Sequence, residues 1–161
     1  MTVAAELIAT LRDRALTMAV AESLTGGLLV AELIAVPGAS AVVRGGVVAY
    51  DTAIKRSVLG VDAGVLAEHG PVHPEVARQM ADRVRTVFSV NGKPADVGLS
   101  TTGVAGPGSQ GGHPPGTVYV GFAVAGRVFA ERLELDGSRE AIRLATVSES
   151  LLRLQRELAT S

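Results

Sequence analysis

Three short stretches carry residue types that could do chemistry, and each follows a run that reads as a buried strand. The first is Ala21-Glu22-Ser23-Leu24-Thr25-Gly26-Gly27. A strand ends here, the chain turns on two glycines and a helix begins, which leaves successive backbone N–H groups unpaired at the helix start. A serine at that point could set its hydroxyl beside those donors, the layout of a nucleophile next to an oxyanion hole. The same residues also read as a plain helix cap, with Ser23 or Thr25 capping and the glycines allowing the turn. The spacing matches neither the nucleophile elbow nor the phosphate-binding loop.

The second stretch is Tyr50-Asp51-Thr52-Ala53-Ile54-Lys55. Only Lys55 and Lys93 are lysines among the 15 basic residues. Arginine keeps its proton in a protein, whereas a desolvated lysine can lose it and act as a base. Lys93 falls in the turn Asn91-Gly92-Lys93-Pro94, so Lys55 is the candidate, against the alternative of a surface position on a short helix. Tyr50 either fills the strand or hydrogen-bonds beside the base. The third stretch runs from Ser100 to Gly108, where Gly103 and Gly106 would let backbone approach a ligand, or would simply loosen a surface loop.

Ser23, Lys55 and Thr102 all come just after predicted strands. The carboxyl ends of neighbouring parallel strands form the usual ligand crevice in an open sheet. Arg139 and Arg143 lie one turn apart at the start of the last helix, where positive charge is mildly unfavourable. A substrate phosphate between them would account for that placement, and so would pairing with Asp136 and Glu140. His69 and His73 have the spacing of a helical metal pair, but Pro71 and Pro74 interrupt the helix that would align them. With His113 in a loop, no cysteine and no acidic cluster, no metal site and no cofactor are expected. An activated side-chain nucleophile is then the favoured chemistry.

The elements that must position these residues follow from periodicity. Val3, Leu7, Ile8 and Leu11 repeat at helical spacing. Met18 to Ala21 reads as a strand, and Leu28 to Ala35 as a helix stopped by Val36-Pro37-Gly38. Gly46 to Tyr50 reads as a second strand, and Thr52 to Leu59 as a short helix. Asp62 caps another helix that ends at Gly70, and Pro74 opens one that runs to about Phe88. Val97 to Thr101 is the third strand, followed by a long loop from Gly103 to Pro115. Thr117 to Val124 and Val128 to Leu135 form a hairpin around Ala125-Gly126-Arg127. Ser138 caps the last helix. Strands alternating with helices imply parallel pairing with crossovers, and the hairpin adds an antiparallel pair. The expected fold is a three-layer α/β/α domain spanning residues 1–161, with a mixed, mostly parallel sheet of about five strands.

Composition narrows the function classes. Aromatics make up 3% of a chain that is 47% hydrophobic, so Ala, Val, Leu and Ile must build the core. A formal charge of −1 offers no electrostatic footprint for nucleic acid or a membrane surface. No apolar run reaches the roughly 18–20 residues of a membrane span, and the N-terminus has Glu6 inside an amphipathic pattern. A soluble cytoplasmic protein is the plain reading.

Together these stretches resemble the C-terminal domain of the CinA family. The resemblance runs through Ala21 to Gly27, Pro37-Gly38-Ala39-Ser40, Gly45 to Tyr50, Lys55, Leu59-Gly60-Val61 and His69-Gly70. It continues through Thr102-Gly103-Val104-Ala105-Gly106-Pro107, Pro115-Gly116-Thr117-Val118 and the Arg139/Arg143 helix. Stand-alone members are nicotinamide-nucleotide amidases, which convert nicotinamide mononucleotide to nicotinate mononucleotide and ammonia. The resemblance implies Ser23 as nucleophile, Lys55 as general base and Tyr50 as a positioning neighbour. It implies that N–H groups near Thr25, Gly26 and Gly27 hold the oxyanion. Thr102, Gly103 and Gly106 would line the pocket, and Arg139 and Arg143 are candidates for the phosphate. A homodimer is expected because the family commonly assembles so. Two stretches depart from the family pattern: Asp51-Thr52-Ala53-Ile54, where many relatives carry Ser-Asn-Glu-Ala, and the loop Ser109 to Pro115. Full-length members have a separate N-terminal pyrophosphatase domain, and none of that function is carried over. A non-catalytic module binding a nucleotide or phosphorylated metabolite is the alternative.

Overall fold

Five of the six α-helices in the computed structural model, which describes residues 1–161, start at a residue whose side chain caps them. Thr2, Asp51, Asp62 and Ser138 each accept a backbone N–H from the first turn of α1 (Val3–Asp13), α3 (Thr52–Ser57), α4 (Ala63–His69) and α6 (Arg139–Ala159). His73 does the same for α5 (Pro74–Val87) through Nδ1, with Pro74 in the first turn. The remaining helix, α2 (Leu28–Ile34), has Gly27 at its N-cap in the left-handed region and draws its capping from elsewhere.

The five strands are β1 (Met18–Glu22), β2 (Val43–Val48), β3 (Val97–Gly103), β4 (Thr117–Val124) and β5 (Arg127–Glu134), in the order β2-β1-β3-β4-β5. β2, β1 and β3 pair in parallel, and β4 pairs antiparallel with β3 and β5. Four of the five strands therefore run one way, and β4 alone is reversed.

Alternation along β1 splits the core between two faces. Met18 and Val20 join Leu7, Leu11, Leu29, Leu99, Phe122 and Leu154 beneath α1, α2 and α6. Ala19 and Ala21 face Val76, Met80 and Val84 of α5 on the other side. On that second face α5 rides directly on the sheet. A Cβ at Gly98 would sit 1.8 Å from the Ala81 carbonyl oxygen, and one at Gly121 would sit 2.1 Å from that of Ala77. Ser100 Oγ donates to the Ala77 carbonyl at 2.6 Å and fixes the register of helix on strand. No helix is long and apolar enough to cross a membrane.

Several element bounds differ from the sequence expectation by one or two residues, as β5 does in running from Arg127 to Glu134, and three differences bear on the site. β2 begins at Val43 and ends at Val48 rather than running from Gly46 to Tyr50. Ala49 still donates its N–H to the Glu22 carbonyl, but Asp51 then turns the chain into α3. β3 continues to Gly103 because β4 pairs with it as far as Gly103↔Val118. A 3-10 turn at Ala39–Ala41, with no apolar periodicity to announce it, leads into β2.

Candidate active site

The parallel strands β2, β1 and β3 end side by side, and their carboxyl ends deliver Ser23, Lys55 and Thr102 to one cleft. That cleft has a volume of about 350 Å³, and Leu24, Val72, Ala105 and Gln110 also border it.

Ser23 and Lys55 meet there. Lys55 Nζ donates to Ser23 Oγ at 3.0 Å, to the Ala49 carbonyl at 2.7 Å and to the Tyr50 carbonyl at 3.4 Å. Lys55 is 1% exposed and Ser23 7%. Burial pushes the Lys55 ammonium down from 10.5 to about 8, and the Asp51 carboxylate nearby opposes that shift only in part. The hydrogen-bond arithmetic has a consequence for the neutral amine. It keeps two N–H donors for the two carbonyls, and its one lone pair is then left for the serine hydroxyl. Asp51, at the departure, accepts the Ala53 N–H at 2.7 Å, a capping service a serine would also give, while its charge favours the protonated Lys55 as a serine would not.

The turn after Ser23 is held from several sides. Glu22, fully buried, accepts the N–H groups of Gly27 at 2.8 Å, Leu29 at 3.2 Å and Val30 at 2.7 Å. Its carboxylate therefore caps α2 and fills that helix's anion-binding end. Thr101 Oγ1 contacts Thr25 Oγ1 at 2.8 Å and accepts the Ser23 N–H at 3.4 Å. The Gly26 N–H donates to the Ser23 carbonyl. The expectation that Gly26 and Gly27 supply oxyanion donors is thus corrected: both N–H groups are spent inside the turn. The N–H groups of Leu24 and Thr25 have no acceptor in the protein.

Thr102 is buried, lines the cleft and donates its hydroxyl to the Pro71 carbonyl at 2.7 Å, tying the α4–α5 connection to the cleft wall. Gly103 and Gly106 line the cleft as well. A Cβ at Gly103 would lie 2.7 Å from the Thr117 carbonyl oxygen, and Gly106 has φ +87°. Tyr50 reaches the dyad through its backbone carbonyl, not its ring. The ring is exposed, and its hydroxyl accepts from Arg139 Nη2 at 3.1 Å. Arg139 also donates to the Gly106 carbonyl at 2.8 Å and lines the cleft. Arg143 does not line it; its Nε and Nη2 go to the Leu24 and Thr25 carbonyls at 2.8 and 3.3 Å. Neither arginine pairs with Asp136 or Glu140.

Sequence reasoning passed over Glu22, Thr101 and the Pro71–Val72 wall. A glutamate closing an otherwise apolar strand was the available signal for the first. The other two depend on which loops the sheet brings together. His69 and His73 stack with ring centroids 4.0 Å apart and planes within 6°, an arrangement in which the two rings do not converge on a common ion. No group of three or more metal-ligating side chains is assembled.

Fold and site together define an α/β domain with a buried serine–lysine pair at the carboxyl ends of parallel strands. The chain belongs to the CinA family: residues 1–158 match the CinA C-terminal domain. It is 48% identical over 150 residues, 92% of its length, to a Geobacillus kaustophilus relative named for competence-damage inducibility, and covers 35% of that protein. A CinA-like protein of Frankia casuarinae is 46% identical over 91% of the chain, which covers 33% of that relative. The chain thus spans about a third of the length of these relatives. Among solved structures, a CinA superfamily protein of Klebsiella pneumoniae superposes with a TM-score of 0.92 at 31% identity, covering 99% of this chain and 97% of that one. A competence/damage inducible protein of Agrobacterium tumefaciens gives 0.87 at 34% identity, covering 96% and 92%.

Proposed function

We propose that the domain is a nicotinamide-nucleotide amidase that hydrolyses nicotinamide mononucleotide to nicotinate mononucleotide and ammonia by serine–lysine chemistry. The observation that carries the reading is the buried Lys55 amine 3.0 Å from Ser23 Oγ, titrating at about 8, with two backbone carbonyls taking its other donors.

Neutral Lys55 takes the hydroxyl proton as Ser23 Oγ adds to the carboxamide carbon. The negative charge gathers on the former carbonyl oxygen beside the free N–H groups of the turn. Protonated Lys55 then passes its proton to the amide nitrogen, the C–N bond breaks and ammonia leaves. A water attacks the resulting ester, Lys55 accepts its proton, and collapse returns that proton to Ser23 and frees the carboxylate. Arg139 has five N–H donors and commits two to protein, so it can receive the substrate phosphate at the cleft edge. A homodimer belongs to the same reading, and a monomer in light scattering at micromolar concentration contradicts that part alone.

The test is to incubate the protein with nicotinamide mononucleotide in EDTA and separate the products. Nicotinate mononucleotide and ammonium appearing in equal amounts support the reading. Saturable binding without product would leave a binding module instead.

A further inference from the structure

Arg143 sits one helical turn beyond Arg139 on α6, yet the two guanidinium groups do different things. Arg139 faces the cleft, while Arg143 turns to the chain immediately after the nucleophile. Its Nε donates to the Leu24 carbonyl at 2.8 Å, and its Nη2 to the Thr25 carbonyl at 3.3 Å. Gly26 permits this approach. Its φ is +58°, and a Cβ there would lie 3.2 Å from Arg143 Nη2.

Each carbonyl belongs to a peptide group whose other end is an N–H. The partner of the Leu24 carbonyl is the Thr25 N–H, which has no acceptor in the protein. A peptide unit is one dipole of about 3.5 D, so a cation at its oxygen strengthens the donor at its nitrogen. The neighbouring free donor, the Leu24 N–H, belongs to the residue that follows Ser23 and lines the cleft beside it. The other donors of the turn are already spent, on Glu22, Ser23 and Thr25. The Leu24 and Thr25 N–H groups are thus the unspent donors next to Ser23, Leu24 at the cleft and Thr25 fully buried, and Arg143 holds the turn that carries them.

We propose that Arg143 is a positioning residue for oxyanion stabilisation, fixing and polarising the Leu24–Thr25 peptide, and that it is not a ligand of the substrate phosphate. The proposal rests on the amidase reading for its substrate but not for its geometry. Glu22 strengthens it: with the α2 N-terminus filled by a carboxylate, no anionic substrate group can dock there, and Arg139 is the guanidinium left at the cleft.

The experiment compares Arg143→Lys and Arg143→Ala with Arg139→Ala on two substrates, nicotinamide mononucleotide and nicotinamide riboside. The second carries the same carboxamide without the phosphate. Losing a direct oxyanion donor costs about 100-fold or more in kcat. We expect Arg143→Ala to lose about 100-fold and Arg143→Lys about 10-fold, by the same factor on both substrates and with KM little changed. Added methylguanidine should restore part of the Arg143→Ala rate. Arg139→Ala should raise KM for the nucleotide only. An Arg143 loss confined to the phosphorylated substrate and expressed in KM would overturn the proposal. Arg143→Lys guards against a variant that does not fold.

A fluorophosphonate probe separates this inference from the amidase reading. Ser23 Oγ forms a bond to phosphorus, fluoride leaves and Lys55 takes the proton, with no amide substrate required. If the wild type is labelled and the Arg143 variants are labelled more slowly, the inference stands even without turnover of the mononucleotide. Labelling of the Arg143 variants at the wild-type rate sinks it whatever the substrate.

Discussion

Replacing Lys55 by methionine should remove the chemistry and, near neutral pH, make the fold more stable. The Lys55 ammonium titrates at about 8 in the folded protein against 10.5 when free, because it is enclosed by the strand ends. At about 1.4 kcal/mol for each pH unit, holding the proton in that site costs the folded state about 3 kcal/mol. Methionine fills similar space without charge, but it strips a donor from the Ala49 and Tyr50 carbonyls, a loss of about 1 kcal/mol each. The variant should therefore gain about 1 kcal/mol near pH 7, raising Tm by roughly 2–4 °C. Between about 8 and 10.5 the unfolded chain binds a proton at Lys55 that the folded chain has released, so wild-type stability rises with pH through this window. The difference between the two proteins should move by about 2 to 3 kcal/mol from pH 7 to pH 10, reversing its sign. Urea unfolding of both proteins at the two pH values measures it. A difference that stays flat across that range would refute the claim that Lys55 is desolvated.

On the proposed mechanism the same depressed lysine sets the rate. In EDTA, kcat/KM should climb about tenfold per pH unit below a midpoint near 8 and then level off, and a rise continuing to the range of free lysine would contradict the assignment. Glu22→Gln puts an amide donor among three N–H donors and should cost about 2–4 kcal/mol in urea unfolding; a loss under about 0.5 kcal/mol would show that α2 is capped otherwise. Gly98→Ala places a methyl 1.8 Å from the Ala81 carbonyl oxygen, so the chain should fail to give a cooperative unfolding transition. A folded Gly98→Ala protein with unchanged Tm would mean that α5 does not press on the sheet as described.

The fold was legible because its signals are local. Asp62 and Ser138 announce helix starts in one or two residues, and the Ala125-Gly126 turn announces the hairpin. Position alone placed Ser23 and Lys55 just beyond strands whose ends parallel pairing brings together, with a helix cap and a surface lysine as the alternatives, and it was the resemblance to the CinA family that singled them out. The donors of the turn were not, because which N–H groups remain free depends on where the Glu22 carboxylate folds back. Arg139 and Arg143 share a helix face in sequence, and only the packing of α6 against the Ser23 turn separates their contacts. The end of β2 was misplaced for a similar cause: Ala49 keeps one bond to β1 while its carbonyl is turned over to Lys55.

Ammonia release from nicotinamide mononucleotide, followed for the wild type and for Ser23→Ala side by side, tests the central claim most directly. Ser23 donates its N–H to Thr101 and its carbonyl accepts from Gly26, and neither bond needs the hydroxyl, so the variant should fold and still bind the nucleotide. The account predicts turnover by the wild type and at least a 1,000-fold loss in Ser23→Ala, on the order expected when a nucleophile is removed. Ammonia released by Ser23→Ala at a rate near that of the wild type would contradict it.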